Sequence, residues 1–321
     1  MTQPADGYTF RHFHPEDAES ITRCALRVHG ESYPRSEIYS PATLRHLNAT
    51  GAWISMVAVD ARGDVAAHLA LEPSAFGPTA ELGVGLVFPE HRRHALTERL
   101  RDFALAESAR RGFGGQYSEI STTNVPAQTM AARNPGRPTA LTLGLWPADG
   151  QHRTSFVRIF RYVKRPPQIA AHVPPQHADI LARIYAELEV PLSLGQAAQP
   201  AGPSRIAVET HPRWQATFIT IPEVGAGTFA DLNRAHQDFI THPDLLCATL
   251  ELPLAEPGTA AVCAHAERLG FFFTGVTPYG ARTGDALRLQ CLKVEVDRAE
   301  MEIVDPFARE LLDYVTRARK A

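Results

Sequence analysis

Residues 81–112 read as an apolar strand (ELGVGLVF), a turn dense in arginine and histidine (PEHRRH), and a long amphipathic helix reaching Arg111. No other stretch constrains the fold as much. A buried strand, a short donor-rich turn and a helix N-terminus, in that order, make an anion site: the first amides of a helix lack partners within it, and its dipole favours negative charge there. Gly83 and Gly85 inside the strand predict a bulge.

Periodicity and punctuation supply the surroundings. A short strand, YTFRHF, precedes a helix over 15–29 with Glu16, Asp17 and Glu19 in its first turn and Gly30 just past its end. A second helix is expected from Ser40 as N-cap, with Pro41 at its first position, to Gly51. WISMVAVD and VAAHLALEP form a hairpin through a turn containing Gly63. After the long helix come a strand, QYSEISTT, a shorter helix over 126–133, and a strand, TALTLGLW.

At 321 residues with 44% apolar side chains, the chain is about twice the usual domain length of ~150 residues. Two domains are therefore expected. The junction falls at KRPPQ, residues 164–168, where consecutive prolines remove amide donors and fix φ. Beyond it the pattern partly restarts: His172, Pro175, Ala178 and Arg183 fall 160 positions after His12, Pro15, Ala18 and Arg23. A second hairpin (RIAVETHPRWQATFITI), a helix (TFADLNRAHQDFI), a strand (CATLELPL), a helix to Leu269, a strand (FFFTGV) and a last helix opened by Pro306 follow. This predicts a tandem duplication with domains 1–165 and 166–321.

In element order and motif, residues 1–165 resemble the GNAT acyltransferases, whose central strand ends in V-x-P-x-x-R-x-x-G-x-G around the pyrophosphate of acetyl-CoA. Val87, Pro89 and Arg92 match that pattern, while Ala95 and Thr97 stand at its two glycines. A second family signature, N-x-x-A-x-x-L-Y-x-x-x-G-F, is partly met by Asn124, Ala127, Met130 at its leucine and Gly136 one position past its glycine, with Ala131 at the tyrosine that commonly protonates the departing thiolate. In the second half Gly270 and Phe271 match the family's closing G-F step, and the phosphate loop is missing. The resemblance implies an α/β (α+β) fold of two GNAT-like domains, each a mixed, mostly antiparallel twisted sheet flanked by helices. The fourth and fifth strands of the first splay into a V. The second domain is degenerate, structural and on the acceptor side.

The resemblance also implies roles. Leu86, Val87, Arg92, Arg93, His94, Ala95, Leu96 and Thr97 bind the donor, and an amide at Leu86 or Val87 stabilises the tetrahedral oxyanion. An attacking amine must lose a proton, and Glu81, His91, Glu119 and Asn124 are the candidates for accepting it; the alternative for Asn124 is to cap the helix opened by Pro126. Coenzyme A is the donor most relatives use. The displaced glycines and the basic run Arg92, Arg93, His94, Arg99, Arg101, Arg110 and Arg111 point instead to a single-phosphate donor, an acyl group on the phosphopantetheine of an acidic acyl carrier protein.

Composition narrows the classes further. With 32 basic and 35 acidic side chains the formal charge is −3, so no global basic field holds nucleic acid. No apolar run approaches the ~20 residues that cross a bilayer, and the chain reads as cytoplasmic. Cys24, Cys247, Cys263 and Cys291 form no CxxC pair and read as reduced core thiols. There is no G-x-S-x-G, H-E-x-x-H or P-loop, and no His/Cys spacing for zinc, so no metal is expected. The leading expectation is N-acyl transfer to the amine of a small molecule. A non-catalytic module sensing acyl-CoA or a metabolite, and peptide N-terminal acylation, are the rivals.

Overall fold

The computed structural model describes residues 7–31, 33, 35–75, 77–147 and 152–320. The chain packs as two compact units, Met1–Ser118 and Glu119–Ala321.

In the first unit β1 (Thr9–His12), β2 (Ile54–Val59), β3 (Val65–Pro73) and β4 (Thr79–Val87) are antiparallel neighbours in that order. The first residues of β5 (Gly115–Ser121) join β4 in parallel. Two helices, α1 (Ala18–His29) and α2 (Pro41–Thr50), cover one face: Ile21, Cys24 and Leu44 pack with Val57, Val84 and Leu86. On the other face Leu96, Leu100 and Ala104 of α3 (Leu96–Arg110) pack with Met56, Leu69 and Leu82. Each fully buried aliphatic side chain contributes about 1.5–3 kcal/mol. The punctuation of α2 is as expected: the Ser40 hydroxyl accepts from Thr43 N at 3.2 Å, Pro41 starts the helix, and Gly51 ends it with φ 75°.

β4 carries the expected bulge, but the left-handed residue is Val84 (φ 53°), between the two glycines. His68 pairs with Leu86 and Ala70 with Gly83, so three steps on β4 oppose two on β3. The extra residue changes the facing of every later side chain, because a strand alternates with a period of two. Leu82 packs against α3, whereas Val84, Leu86 and Phe88 belong with α1 and α2.

In the second unit the sheet order is β7 (Arg153–Tyr162), β6 (Arg137–Pro147), β13 (Phe272–Ala281), β14 (Gly284–Leu292), β12 (Cys247–Pro253), β11 (Ala216–Glu223) and β10 (Arg205–His211). Its helices are α4 (Val125–Ala132), α5 (Ala178–Glu187), α6 (Thr228–Thr241), α7 (Thr259–Arg268) and α8 (Pro306–Lys320), and β8 (Ile169–Ala171) pairs separately with β9 (Leu192–Leu194). The expected restart is visible locally. Pro15–Asp17 and Pro175–His177 each form one 3-10 turn leading into a helix, at Ala18 and Ala178.

The compact units part inside β5, not at 165/166. The reason is strand pairing: β6 and β7 precede the proline junction in sequence, yet β6 pairs with β13 at Ala140↔Gly275. Gly275 has φ 141°, and a Cβ there would sit 2.3 Å from Thr139 O, so this seam requires glycine. The sequence pattern passes over β7, whose apolar alternation is broken by Arg158, and over β14. The four cysteines are buried and unpaired. Among the described residues no helix is long and apolar enough to cross a membrane.

Candidate active site

β4 and β5 pair only from Thr79↔Gly115 to Glu81↔Tyr117. The Ser118 hydroxyl then donates to Leu82 O at 2.8 Å, and β4 continues through the bulge without further register to β5. Phe88 N donates to Ala66 O at 3.0 Å. Since amides two residues apart point the same way, Leu86 N also turns to β3, while Val87 turns to the opposite edge. The Leu86 amide is therefore turned away from the open side, and Val87 is the residue whose amide faces it.

A closed polar network fixes the bulge. His68, 1% exposed, donates from Nδ1 to Val84 O at 2.9 Å. A carbonyl only accepts, so Nδ1 carries the proton and Nε2 accepts from the Ser55 hydroxyl at 3.0 Å. Asn48 completes the ring: its amide donates to Ser55 Oγ at 3.1 Å, and its oxygen accepts from Ser55 N at 2.8 Å. Burial pushes the His68 imidazole down to about 4, so the group is neutral at physiological pH. Nothing in the sequence pattern singles it out, because one histidine in an apolar strand carries no spacing signal.

Past β4 the chain makes a 3-10 turn, Pro89–His91, and enters α3 through two left-handed residues, Arg93 (φ 67°) and Ala95 (φ 51°). Ala95 is the N-cap and offers no side-chain bond to the first amides of α3. The turn thus takes at Ala95 a conformation that favours glycine, at the cost of placing alanine where L-residues are disfavoured by about 1–2 kcal/mol. Ala95→Gly is expected to raise unfolding stability by about 1 kcal/mol in urea titration; Ala95→Val lowers it. Arg92, Arg93 and His94 are exposed around these amides, while His91 Nδ1 lies 2.9 Å from the Tyr8 hydroxyl.

The rest of the basic run is engaged elsewhere. Arg99 stacks 4.2 Å over Phe10. Arg110 and Arg111 both bond Glu107, whose carboxyl is held down to about 2 first by Arg110 and then, against its own burial, by Arg111.

On the α1–α2 face Glu81 is in register with Glu72. Arg35 Nη2 donates to Glu72 Oε2 at 2.5 Å, Trp53 Nε1 donates to the same oxygen at 3.2 Å, and the guanidinium lies 5.3 Å from the Trp53 ring. Although burial opposes its charge, the surrounding carboxylates Glu72, Glu81 and Glu37 raise the basicity of Arg35. Burial pushes the nearby Tyr33 phenol up to about 12. These residues form an acidic, aromatic wall beside the start of β4.

The other two expected catalytic residues lie in the second unit and have structural partners. Glu119 Oε1 accepts from Arg158 (2.6 Å and 2.7 Å) and lies 3.4 Å from Arg288 Nη1. Burial would raise its carboxyl, but the two guanidiniums outweigh burial and hold it below the usual range. Such a carboxylate is a weak base. Arg288 also donates to Glu251 Oε1 at 2.6 Å and to Thr142 Oγ1 at 3.1 Å. Asn124 caps α4, its Oδ1 accepting from Ala127 N at 3.1 Å, so the capping alternative holds and the base role falls away.

No family model matches the sequence, and no curated protein matches it. Solved structures are similar over about half its length. A GNAT superfamily phosphinothricin acetyltransferase from Sinorhizobium meliloti, in complex with AcCoA, is 18% identical at TM-score 0.43, covering 49% of this chain and 89% of its own. The ribosomal-protein-S18-alanine N-acetyltransferase of Escherichia coli is 16% identical at TM-score 0.42, covering 50% and 96%. A spermidine N-acetyltransferase chimera built from the Vibrio cholerae and human enzymes is 18% identical at TM-score 0.42, covering 49% and 96%.

Proposed function

We propose that the N-terminal half is an N-acyltransferase, moving an acyl group from a phosphopantetheine thioester to the amine of a small molecule. One observation carries the reading: among the described residues the β4–β5 register ends at Glu81↔Tyr117, and β4, still paired with β3 through Val87, runs straight into the uncapped N-terminus of α3. An extended pantetheine arm added along that edge takes main-chain hydrogen bonds as a strand does. The amides of residues 95–97, with Arg92, Arg93 and His94 beside them, hold its phosphate. The Val87 amide then meets the thioester oxygen, where a placed donor contributes about 3–4 kcal/mol to the tetrahedral intermediate.

Glu81 is the base in this proposal. It starts at the last residue of β4 that still pairs with β5, on the face of the acidic wall, where Glu72 and Glu37 also favour a cationic acceptor. Glu81 takes a proton from the ammonium; the free amine adds to the thioester carbonyl to give the tetrahedral intermediate, which collapses with cleavage of the C–S bond, the thiolate leaving and the amide nitrogen losing its second proton to solvent. With a thiol pKa near 8.5, that departure needs no dedicated acid, which suits alanine at position 131.

Thiol release with an acyl-CoA and a panel of amines tests the reading. Glu81→Gln is expected to lower kcat about 100-fold with donor affinity unchanged; an unchanged rate reassigns the base. Donor binding with no thiol released for any amine supports the sensing module instead. Two donors are compatible with the loop, coenzyme A and an acyl carrier protein. The exposed Arg92, Arg93 and His94 favour the carrier, and turnover of free acyl-CoA equal to or better than the carrier-bound donor removes that preference.

A further inference from the structure

Outside the candidate active site, one side-chain cluster of the second unit has the composition of a cation site. We propose that His177, Cys263 and Glu267 bind zinc. Their ligand atoms, one from each residue, all lie within 4.8 Å of one another. Cys263 and Glu267 are four residues apart on α7 and so share one face of it. His177 ends the 3-10 turn that opens α5, and its Nε2 lies 2.8 Å from Glu267 Oε1.

Three features make the arrangement more than an ion pair. Imidazole, thiolate and carboxylate are zinc's own ligand types. A tetrahedral ion with bonds of about 2.0–2.3 Å sets its ligand atoms about 3.3–3.7 Å apart, so the widest separation closes by about 1 Å while the 2.8 Å His177–Glu267 pair opens by about 0.5 Å. The histidine is also oriented from behind. Tyr314 donates its hydroxyl proton to Gln176 O at 3.0 Å, so the same oxygen accepts from His177 Nδ1 at 2.8 Å, which turns Nε2 toward the carboxylate. Outer partners of this kind fix the tautomer of metal-binding histidines. Gln176 steadies the third ligand, donating to Glu267 Oε2 at 2.8 Å.

Zinc replaces the proton of the Cys263 thiol and any proton on His177 Nε2, both passing to solvent, and no redox change is involved. Cys263 and His177 are buried while Glu267 is 31% exposed, so the ion enters from the carboxylate side. Bound there, it ties α5 to α7. The sequence hides the site because its histidine and cysteine are 86 positions apart, far from any zinc spacing.

Zinc titration of the full chain against a chromophoric chelator is expected to show one tight site. Cobalt in its place should give a thiolate charge-transfer band. Cys263→Ser should abolish that band and weaken zinc about 100-fold or more, and Tyr314→Phe, which touches no ligand atom of the ion, about tenfold. If Cys263→Ser fails to fold, Glu267→Gln serves, keeping the band's sulfur while weakening binding. No stoichiometric zinc uptake by the wild-type chain, or a cobalt spectrum without the thiolate band, overturns the proposal.

Discussion

Between pH 6.5 and pH 4 the wild-type chain is expected to lose about 3 kcal/mol of stability that a His68→Asn variant does not lose. The buried imidazole is neutral in the fold and its proton affinity lies near 4, against about 6.5 when unfolded. The unfolded chain therefore binds a proton that the folded chain refuses. The contribution is fully present above pH 6.5 and declines, at about 1.4 kcal/mol per pH unit, as pH falls toward the folded value. Other groups titrate in the same window, so the measurement is the difference between wild type and variant in urea-derived unfolding energies at each pH. Parallel curves would rule out His68 as the source. At pH 7 the variant should already be less stable by about 2 kcal/mol, since Val84 O and Ser55 Oγ lose their partner in a buried site.

Arg288→Met should lower unfolding energy by about 3–5 kcal/mol. The guanidinium is 10% exposed and lies between Glu119 and Glu251, both 13% exposed. Without it Glu251 Oε1 keeps only the Thr277 hydroxyl at 2.9 Å, and Glu119 keeps only Arg158 of its two cations. Among the described residues both carboxylates already have a second oxygen buried without a partner, so none of those residues stands ready to compensate. Glu251→Gln in the same chain should recover part of the loss, because it removes the uncompensated charge. A urea midpoint that falls while the slope stays constant would assign the change to the native state; a double variant no more stable than the single one would show that the charge was not the cause.

The two predictions mark where sequence reading succeeds and where it stops. Ser40, Pro41, Gly51 and Gly63 act through their own backbone, so the helix and hairpin they bound were legible. The strand–turn–helix of residues 81–112 was legible for the same reason. The flanking glycines flagged the bulge, yet Val84 takes the left-handed angle, because the register is fixed by a histidine 16 residues earlier. Leu82, Val84 and Leu86 alternate as if all faced one side; only the pairing with β3 shows that the facing changes among them. Glu119 stood among the candidate bases because its partners, Arg158 and Arg288, are 39 and 169 positions away. Arg158, a surface residue by composition, is buried for that same reason and so concealed β7. The base assigned to Glu81 and the donor loop rest on local pattern and are tested by the thiol-release assay above.

The entrance to α3 presents peptide N–H groups, which nineteen of the twenty amino acids possess. Selection on such a loop acts on the angle a residue can reach, not on its letter. Alanine at position 95 holds a left-handed angle that glycine adopts more readily, and asparagine or aspartate would be similarly tolerated. A search keyed to the conformation at positions 93 and 95 would therefore find this turn where one keyed to glycine passes over it.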